Sequence, residues 1–391
     1  MKRYLDVSDE AFLMRICRVL ALLAAIVVAG SAVVAQQPPA AGAPQGQVAG
    51  GGRQGGRGFG RGGVQIQDGE ECPPGMTEVR PRSCQAPSMP PPSIVDYRPK
   101  STLVTAVHLV PKAKFPVIDY HGHPQGLLGS PDGLASLTTS LDALNVRLMV
   151  SADNMSGARL QTALDSIRSS PFKDRVRVLA GIDFRGVGPG WSDKAVQQLE
   201  ADLKAGAVGV GEISKSLGLT IMKADGTRLK IDDPDLDPVW DACGRLHVPV
   251  FIHTADPQEF FEAIDTKNER WLELSLFPDR RYQDPRFPRF EELMAERDRM
   301  FKKHPTTKFV AAHLAWYADD LARLGRLLDA MPNVSTEVGA VLYDIGRQPR
   351  AAHDFFVKYQ DRILFGKDSF QPEEYPYYWR VFETADEYFD Y

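Results

Sequence analysis

Beyond residue 35 this sequence has no apolar run long enough to cross a membrane as a helix. It has no strong excess of either charge. The 46 Lys and Arg stand against 51 Asp and Glu, a net charge of −5, so no nucleic acid or other polyanion is called for as a partner. Cysteine is scarce, with four residues in 391. Their spacing is too wide, and histidine partners too absent, for a zinc knuckle. What the sequence has is a compound N-terminus and then a regular alternation of short apolar runs with amphipathic stretches.

The N-terminus reads as an export signal. Arg15 and Arg18 precede the apolar run Val19–Gly30, and Val33-Val34-Ala35 resembles a small-residue cleavage site. Asp6, Asp9 and Glu10 lie ahead of the basic residues and do not fit, which points to Met14 as the natural start. The alternative is an uncleaved anchor. Residues 36–65 are Pro-rich and then Gly/Arg-rich (GGRQGGRGFGRGG), a composition that buries no core and is expected to be a disordered linker. Residues 66–114 form an N-terminal extension, within which Cys72 and Cys84 are expected to pair in an oxidising compartment. The expected location is periplasmic or secreted, with no membrane attachment after cleavage. Cys243 reads as a buried small hydrophobe.

From residue 115 to 391 the pattern becomes βα. The expected strands are Pro116–Tyr120, Val146–Ser151, Val176–Ile182, Val208–Ile213, Pro249–His253, Lys308–Ala312, Asn333–Val338 and Ile363–Gly366. Helical stretches such as Asp132–Leu144, Lys194–Lys204, Pro238–Leu246, Phe290–Lys303 and Ala318–Ala330 lie between them. Eight strands alternating with helices indicate an α/β fold, a (β/α)8 TIM barrel. A doubly wound sheet would carry a Gly-rich phosphate turn after its first strand, where this sequence has DYHGHP. The aromatic-rich end, Pro372–Tyr391, stops without a polar tail, and a barrel lacking its last segment is expected.

Of eight histidines, four fall at the C-terminal ends of expected strands: His121 and His123, His253, and His313. Asp368 follows the eighth strand. Barrel chemistry is done at that end. His121 and His123 are two apart, share a strand face, and can meet one metal ion. Gly122 is read as letting the backbone approach the site. A lone histidine is more often a hydrogen-bonded core residue, but five coincident positions leave that reading poor. Nitrogen ligands with one carboxylate describe a catalytic zinc, and manganese or iron accept the same ligands.

VIDYHGHP, VFIHTADP, VAAHLAW and ILFGKDS resemble the stretches that mark the amidohydrolase-related family, the branch that includes aminocarboxymuconate semialdehyde decarboxylase. The resemblance spans residues 115 to about 380. It implies His121, His123, His253 and Asp368 as metal ligands and His313 as the catalytic histidine, with Asp119 orienting a ligand at most. Glu212, in AVGVGEISKSLG, resembles the strand-4 Glu of TIM-barrel metal-dependent deoxyribonucleases, where that carboxylate bridges two metals. Lys215, nearby, lies past the strand end.

The reaction implied is metal-dependent hydrolysis of an amide, ester or lactone carbonyl of a small substrate, with Asp368 and His313 moving protons. Non-oxidative decarboxylation uses the same ligands and is the alternative. A barrel that only binds a ligand is the third reading. For the substrate, Arg185, Glu337 and Arg281 are pocket candidates, with Arg347 weaker. The insertion Asp256–Arg289 is basic and aromatic, suited to an anionic or aromatic substrate. Its alternatives are a contact between copies in a homo-oligomer, or a solvated loop.

Overall fold

The computed structural model describes residues 63–124 and 126–389. The proposed signal peptide and nearly all of the linker lie outside the described residues. Two compact units divide between Pro91 and Pro92.

In the first unit, β1 (Val64–Gln65), β2 (Thr77–Arg80) and β3 (Ser83–Gln85) form an antiparallel sheet in the order β1-β3-β2. Val64 and Gln65, assigned from sequence to the linker, are ordered instead because they pair with Cys84 and Ser83. Cys72 and Cys84 are disulfide-bonded, their Cα atoms 5.7 Å apart. With few buried side chains here, that bond constrains the chain where a core cannot.

The second unit is a parallel sheet clad in helices. Its strands are β4 (Val117–His123), β5 (Val146–Met155), β6 (Val176–Ala180), β7 (Val210–Ile213), β8 (Val250–Ile252), β9 (Phe309–Ala311), β10 (Val334–Glu337), β11 (Ile363–Leu364) and β12 (Asp368–Ser369), each paired with its sequence neighbour through β11. β11 pairs with β10, whereas β12 pairs with β4. Tyr120 N–H also donates to the Phe365 carbonyl at 2.9 Å. The two short strands are therefore halves of one eighth strand that joins the sheet's ends, consistent with a (β/α)8 barrel.

The longer described helices are α1 (Pro131–Leu144), α2 (Gly157–Ser169), α3 (Trp191–Ala205), α4 (Asp237–Arg245), α5 (Phe290–Lys303), α6 (Leu321–Ala330), α7 (Pro349–Tyr359) and α8 (Tyr375–Glu383). Local chemistry sets their ends. Ser130 caps α1 by accepting from Gly133 N–H, Pro131 opens it, and Asn145 closes it in the left-handed region. Asp320 caps α6 through Arg323 N–H. Inside the curled sheet, Val150, Ala152, Leu179, Phe251, Val310 and Ala312 pack with Tyr120 and Leu364. The larger core fills the space between sheet and helices. No described helix is long and apolar enough to cross a membrane.

The end of the N-terminal extension is tied to the start of β5, at the end of the strands away from the histidines. Ala113 N–H donates to Leu144 O, and Asn145 Nδ2 to Ala113 O. Farther along, His108 N–H and Nδ1 meet the two oxygens of Asp386, which also accepts from Arg380. Burial raises the Asp386 pKa, but the His108 bonds and Arg380 outweigh it and pull the carboxyl down to about 2. A carboxylate depressed in the fold stabilises it fully above about pH 4, and that contribution fades as pH falls toward 2. Asp386→Asn should therefore flatten the acid limb of stability in that window, read by urea melts at stepped pH.

Candidate functional site

His121 and His123 lie within β4 rather than after it, because the strand runs three residues farther than Tyr120, the end expected from sequence. Their Nε2 atoms are 3.1 Å apart. Glu212, on β7, reaches between the histidines. Its Oε2 is 3.2 Å from His123 Nε2 and 3.5 Å from His121 Nε2, and its Oε1 is 2.8 Å from His253 Nδ1. His313 Nε2 is 3.3 Å from His253 Nδ1 and 3.9 Å from Glu212 Oε1. Asp368 Oδ1 lies 3.8 and 3.7 Å from the Nε2 atoms of His121 and His123. The structure thus brings His121, His123, Glu212, His253, His313 and Asp368 together, above the ring of Phe251.

Each imidazole turns one nitrogen inward and the other toward an oxygen. His123 Nδ1 is 3.3 Å from Asp153 Oδ1, and His313 Nδ1 is 2.8 Å from Gly339 O. His121 Nδ1 is 3.2 Å from Glu337 Oε1, out of hydrogen-bond alignment. His253 Nε2 faces Asp256 Oδ1 at 3.7 Å. An oxygen on the outward side keeps the proton there and leaves an inward lone pair. Inward nitrogen lone pairs and two carboxylates crowded together repel unless a cation or protons lie among them.

Ligand atoms about 2.1 Å from a tetrahedral zinc lie about 3.4 Å from one another, near the separations found here. Two overlapping groups have donors mutually within 4.8 Å: His121, His123 and Asp368, and His121, Glu212 and His313. The donor set fits a divalent metal, and Glu212 faces both groups of histidines.

The electrostatics agree. Burial lowers the His121 pKa, yet Glu337 and Glu212 outweigh it and hold it well above the usual value. His123 and His253 behave likewise: burial lowers them, but Asp153 and Glu212, and Glu212 and Asp256, push them up to about 9. Burial raises Glu212, but His121 and His253 hold it well below the carboxylate range. His313 differs: burial, then His253, depress it, so it is neutral. In place of a metal the cluster takes protons, and a metal must displace them.

His313 opens an unusual turn. His313, Leu314, Ala315 and Trp316 all have φ between 49° and 57°. Left-handed backbone costs about 1–2 kcal/mol per non-glycine residue. Several contacts hold it. Glu337 Oε1 accepts from His313 N–H at 2.6 Å, buried Arg297 donates to Ala315 O at 2.9 Å, and the Trp316 ring stacks on His313 at 4.5 Å.

Glu337, a pocket candidate from sequence, lies behind the histidines. It is wholly buried, and its second oxygen accepts from Gly339 N–H. A Cβ on Gly366 would fall 2.4 Å from that oxygen and 2.5 Å from His121 Cβ, so only glycine fits in ILFGKDS. Gly122 serves a different neighbour from the one expected, since a Cβ there would meet Met149 Cγ at 2.7 Å. Asp119 is buried and accepts from His121 N–H, Lys367 N–H and Tyr375 Oη–H. Burial, offset partly by these bonds, raises its pKa to about 6.

The structure does not bring Arg185 or Arg281 into the cluster. Arg185 is 91% exposed and spent on Asp183. Arg281 donates to the Leu274 and Ser275 carbonyls within the insertion. Arg347 pairs with Glu269 and Asp344. Arg159 lines a cavity of about 230 Å3 with Gly126, Leu128, Met155 and Asp153, and Asp153 is the carboxylate that faces His123 Nδ1. A larger cavity of about 970 Å3 lies between α7 and residues 381–387, and none of the cluster lines it. Asp153, Asp256 and Trp316 were missed. For Asp256 and Trp316 the available signal was their place in the histidine stretches VFIHTADP and VAAHLAW, and for Asp153 only its place toward the C-terminal end of β5.

A family model described as amidohydrolase matches residues 118–387. No curated protein matches the chain. Among solved structures, an uncharacterized TIM-barrel protein from Bordetella bronchiseptica is 15% identical, with 69% of this chain and 92% of that one covered and a TM-score of 0.42. 5-Carboxyvanillate decarboxylase from Novosphingobium aromaticivorans, complexed with manganese, is 13% identical over 69% and 89%, TM-score 0.41. An amidohydrolase from Burkholderia multivorans with bound zinc is 15% identical over 69% and 93%, TM-score 0.36.

Proposed function

Because the chain belongs to the amidohydrolase family, whose model spans residues 118–387, we propose that it is an enzyme, an exported metal-dependent hydrolase. It acts on an amide, ester or lactone carbonyl of a small substrate. The observation that carries this reading is Glu212 set between inward-facing nitrogens of His121, His123 and His253, with Asp368 beside them. These five residues would hold the ion, zinc by preference, with manganese or iron acceptable. A bound divalent ion would polarise the carbonyl and make water nucleophilic near neutral pH.

The chain's own groups then move protons. Asp368 has the most open carboxylate of the cluster, 31% exposed against 12% for Glu212. It is the group that can take a proton from water at Oδ1 and pass it to the leaving atom. His313 is neutral, its Nδ1 proton committed to Gly339 O, so Nε2 can accept a proton or take up a hydrogen bond from the substrate. Trp316 against its ring limits rotation and excludes water. Export is supported by the Cys72–Cys84 disulfide, which persists in oxidising compartments.

The test is turnover of ester, lactone and amide panels by zinc- and manganese-loaded protein. Hydrolysis lost on chelation and regained on reloading is expected. Release of CO2 from a carboxylated substrate without hydrolysis would replace this reading by decarboxylation. Ligand binding with no turnover would leave a binding barrel.

A further inference from the structure

The insertion between β8 and α5 contains only short helical turns, at Gln258–Phe261, Trp271–Leu276 and Pro278–Arg280. It is nonetheless anchored. Phe260, Leu274 and Tyr282 are buried. The Tyr282 ring lies 4.9 Å from Phe261 and 5.2 Å from Phe287, and its N–H donates to Phe260 O. Tyr282 is thus the centre of the insertion's own small core. Farther out, the Arg270 guanidinium lies 4.0 Å from the Tyr343 ring centre, and Arg347 pairs with Glu269.

The Tyr282 hydroxyl leaves this core and donates to Asp256 Oδ2 at 2.8 Å. Lys215 Nζ, from the loop after β7, donates to the same oxygen at 2.6 Å. Two donors on Oδ2 aim the other oxygen, Oδ1, at His253 Nε2, 3.7 Å away. That nitrogen is buried and has no hydrogen-bond partner. The outward nitrogens of His121, His123 and His313 already lie 3.2, 3.3 and 2.8 Å from an oxygen. His121 Nδ1 is likewise without an aligned hydrogen bond, but of the four only His253 has its outward nitrogen farther than 3.5 Å from the facing oxygen.

We propose that Asp256 is the positioning residue of His253, and that through Tyr282 it couples the order of the insertion to metal retention. The inference rests on the metal reading above. A movement of about 0.5–1 Å brings Nε2 within hydrogen-bond distance of Oδ1. With Nδ1 engaged by a cation, the His253 proton resides on Nε2, and the Asp256 carboxylate is the acceptor placed to receive it. Tyr282 transmits this to the insertion, because the residue that completes the insertion's core also holds Asp256 in line. Such coupling is reciprocal. Loosening the insertion weakens metal binding, and removing the metal loosens the insertion by the same factor.

The full chain is compared with Asp256→Asn, Asp256→Glu and Tyr282→Phe. Zinc affinity is read by competition with a chromophoric chelator. Protease cleavage within residues 256–289 is timed with and without zinc. Asp256→Asn is expected to weaken zinc about 10- to 100-fold, Tyr282→Phe by less, and Asp256→Glu to recover part of the loss. Zinc should slow cleavage of the wild type and lose that effect in Asp256→Asn and Tyr282→Phe. If both bind zinc with wild-type affinity, or zinc leaves wild-type cleavage unchanged, the coupling is overturned and the metal site stands. If Asp256→Asn does not fold, Tyr282→Phe decides alone. A wild type that binds no zinc, manganese or iron overturns the metal reading and this coupling with it.

Discussion

The His121→Ala/His123→Ala double variant should retain almost none of the metal that the wild-type chain carries. The two Nε2 atoms are 3.1 Å apart, and both face Glu212 Oε2 and Asp368 Oδ1. Removing both strips one group of donors, His121, His123 and Asp368, of two members and takes His121 from the other. What remains of the proposed ligands, Glu212, Asp368 and His253, offers one nitrogen beside two carboxylates, too few soft donors to hold zinc tightly. Elemental analysis of protein purified without added metal reads the result. One equivalent in the wild type would leave Glu212 as a ligand to a single ion. Two would make it a bridge, its Oε2 toward the β4 histidines and its Oε1 toward His253 and His313. Metal retained in the double variant at the wild-type level would place the site elsewhere.

His313→Ala should cost about 10²–10⁴ in turnover, the range typical of a positioned acid or base, while leaving the metal content near wild type. Its imidazole is buried and depressed by burial and by His253, with a fixed proton on Nδ1. A group so held contributes at one atom, Nε2, and alanine removes that atom without touching the five proposed ligands, His121, His123, Glu212, His253 and Asp368. The comparison is kcat beside metal stoichiometry on a substrate that the wild type hydrolyses. Wild-type kcat in the variant would remove His313 from the chemistry. Lost metal would make it a ligand instead, as its place beside His121 and Glu212 allows.

How much of this was legible in the chain follows from how local each signal is. The strands were readable because parallel strands buried on both faces are short runs of Val, Ile, Leu and Phe. Strand ends were less so. His121 and His123 extend β4 because β12 pairs with Gly122 and His123, a contact more than two hundred residues away in sequence. The eighth strand was drawn as Ile363–Gly366 but breaks into β11 and β12, because its first half pairs with β10 and its second with β4. The last helix looked anomalous for its aromatic content. In the fold those residues are used, Tyr375 to bond Asp119, and Tyr378 and Trp379 to pack on Phe365.

The sequence by itself determined which residues are candidates for the chemistry, since a histidine pair two apart on a strand and further histidines at later strand ends are one-dimensional patterns. Only the tertiary structure decided what stands behind them. Glu337 proved to be a buried brace for His121 and His313 rather than a pocket residue, and Arg185 and Arg281 proved to be spent on local partners. Asp256 acquired its place from Lys215 and Tyr282, forty-one residues before it and twenty-six after. The physical reason is range. Strand periodicity is set by neighbours along the chain, whereas a carboxylate's role depends on the dielectric and the donors around it, and those come from whichever strands and loops the fold brings to the same few ångströms.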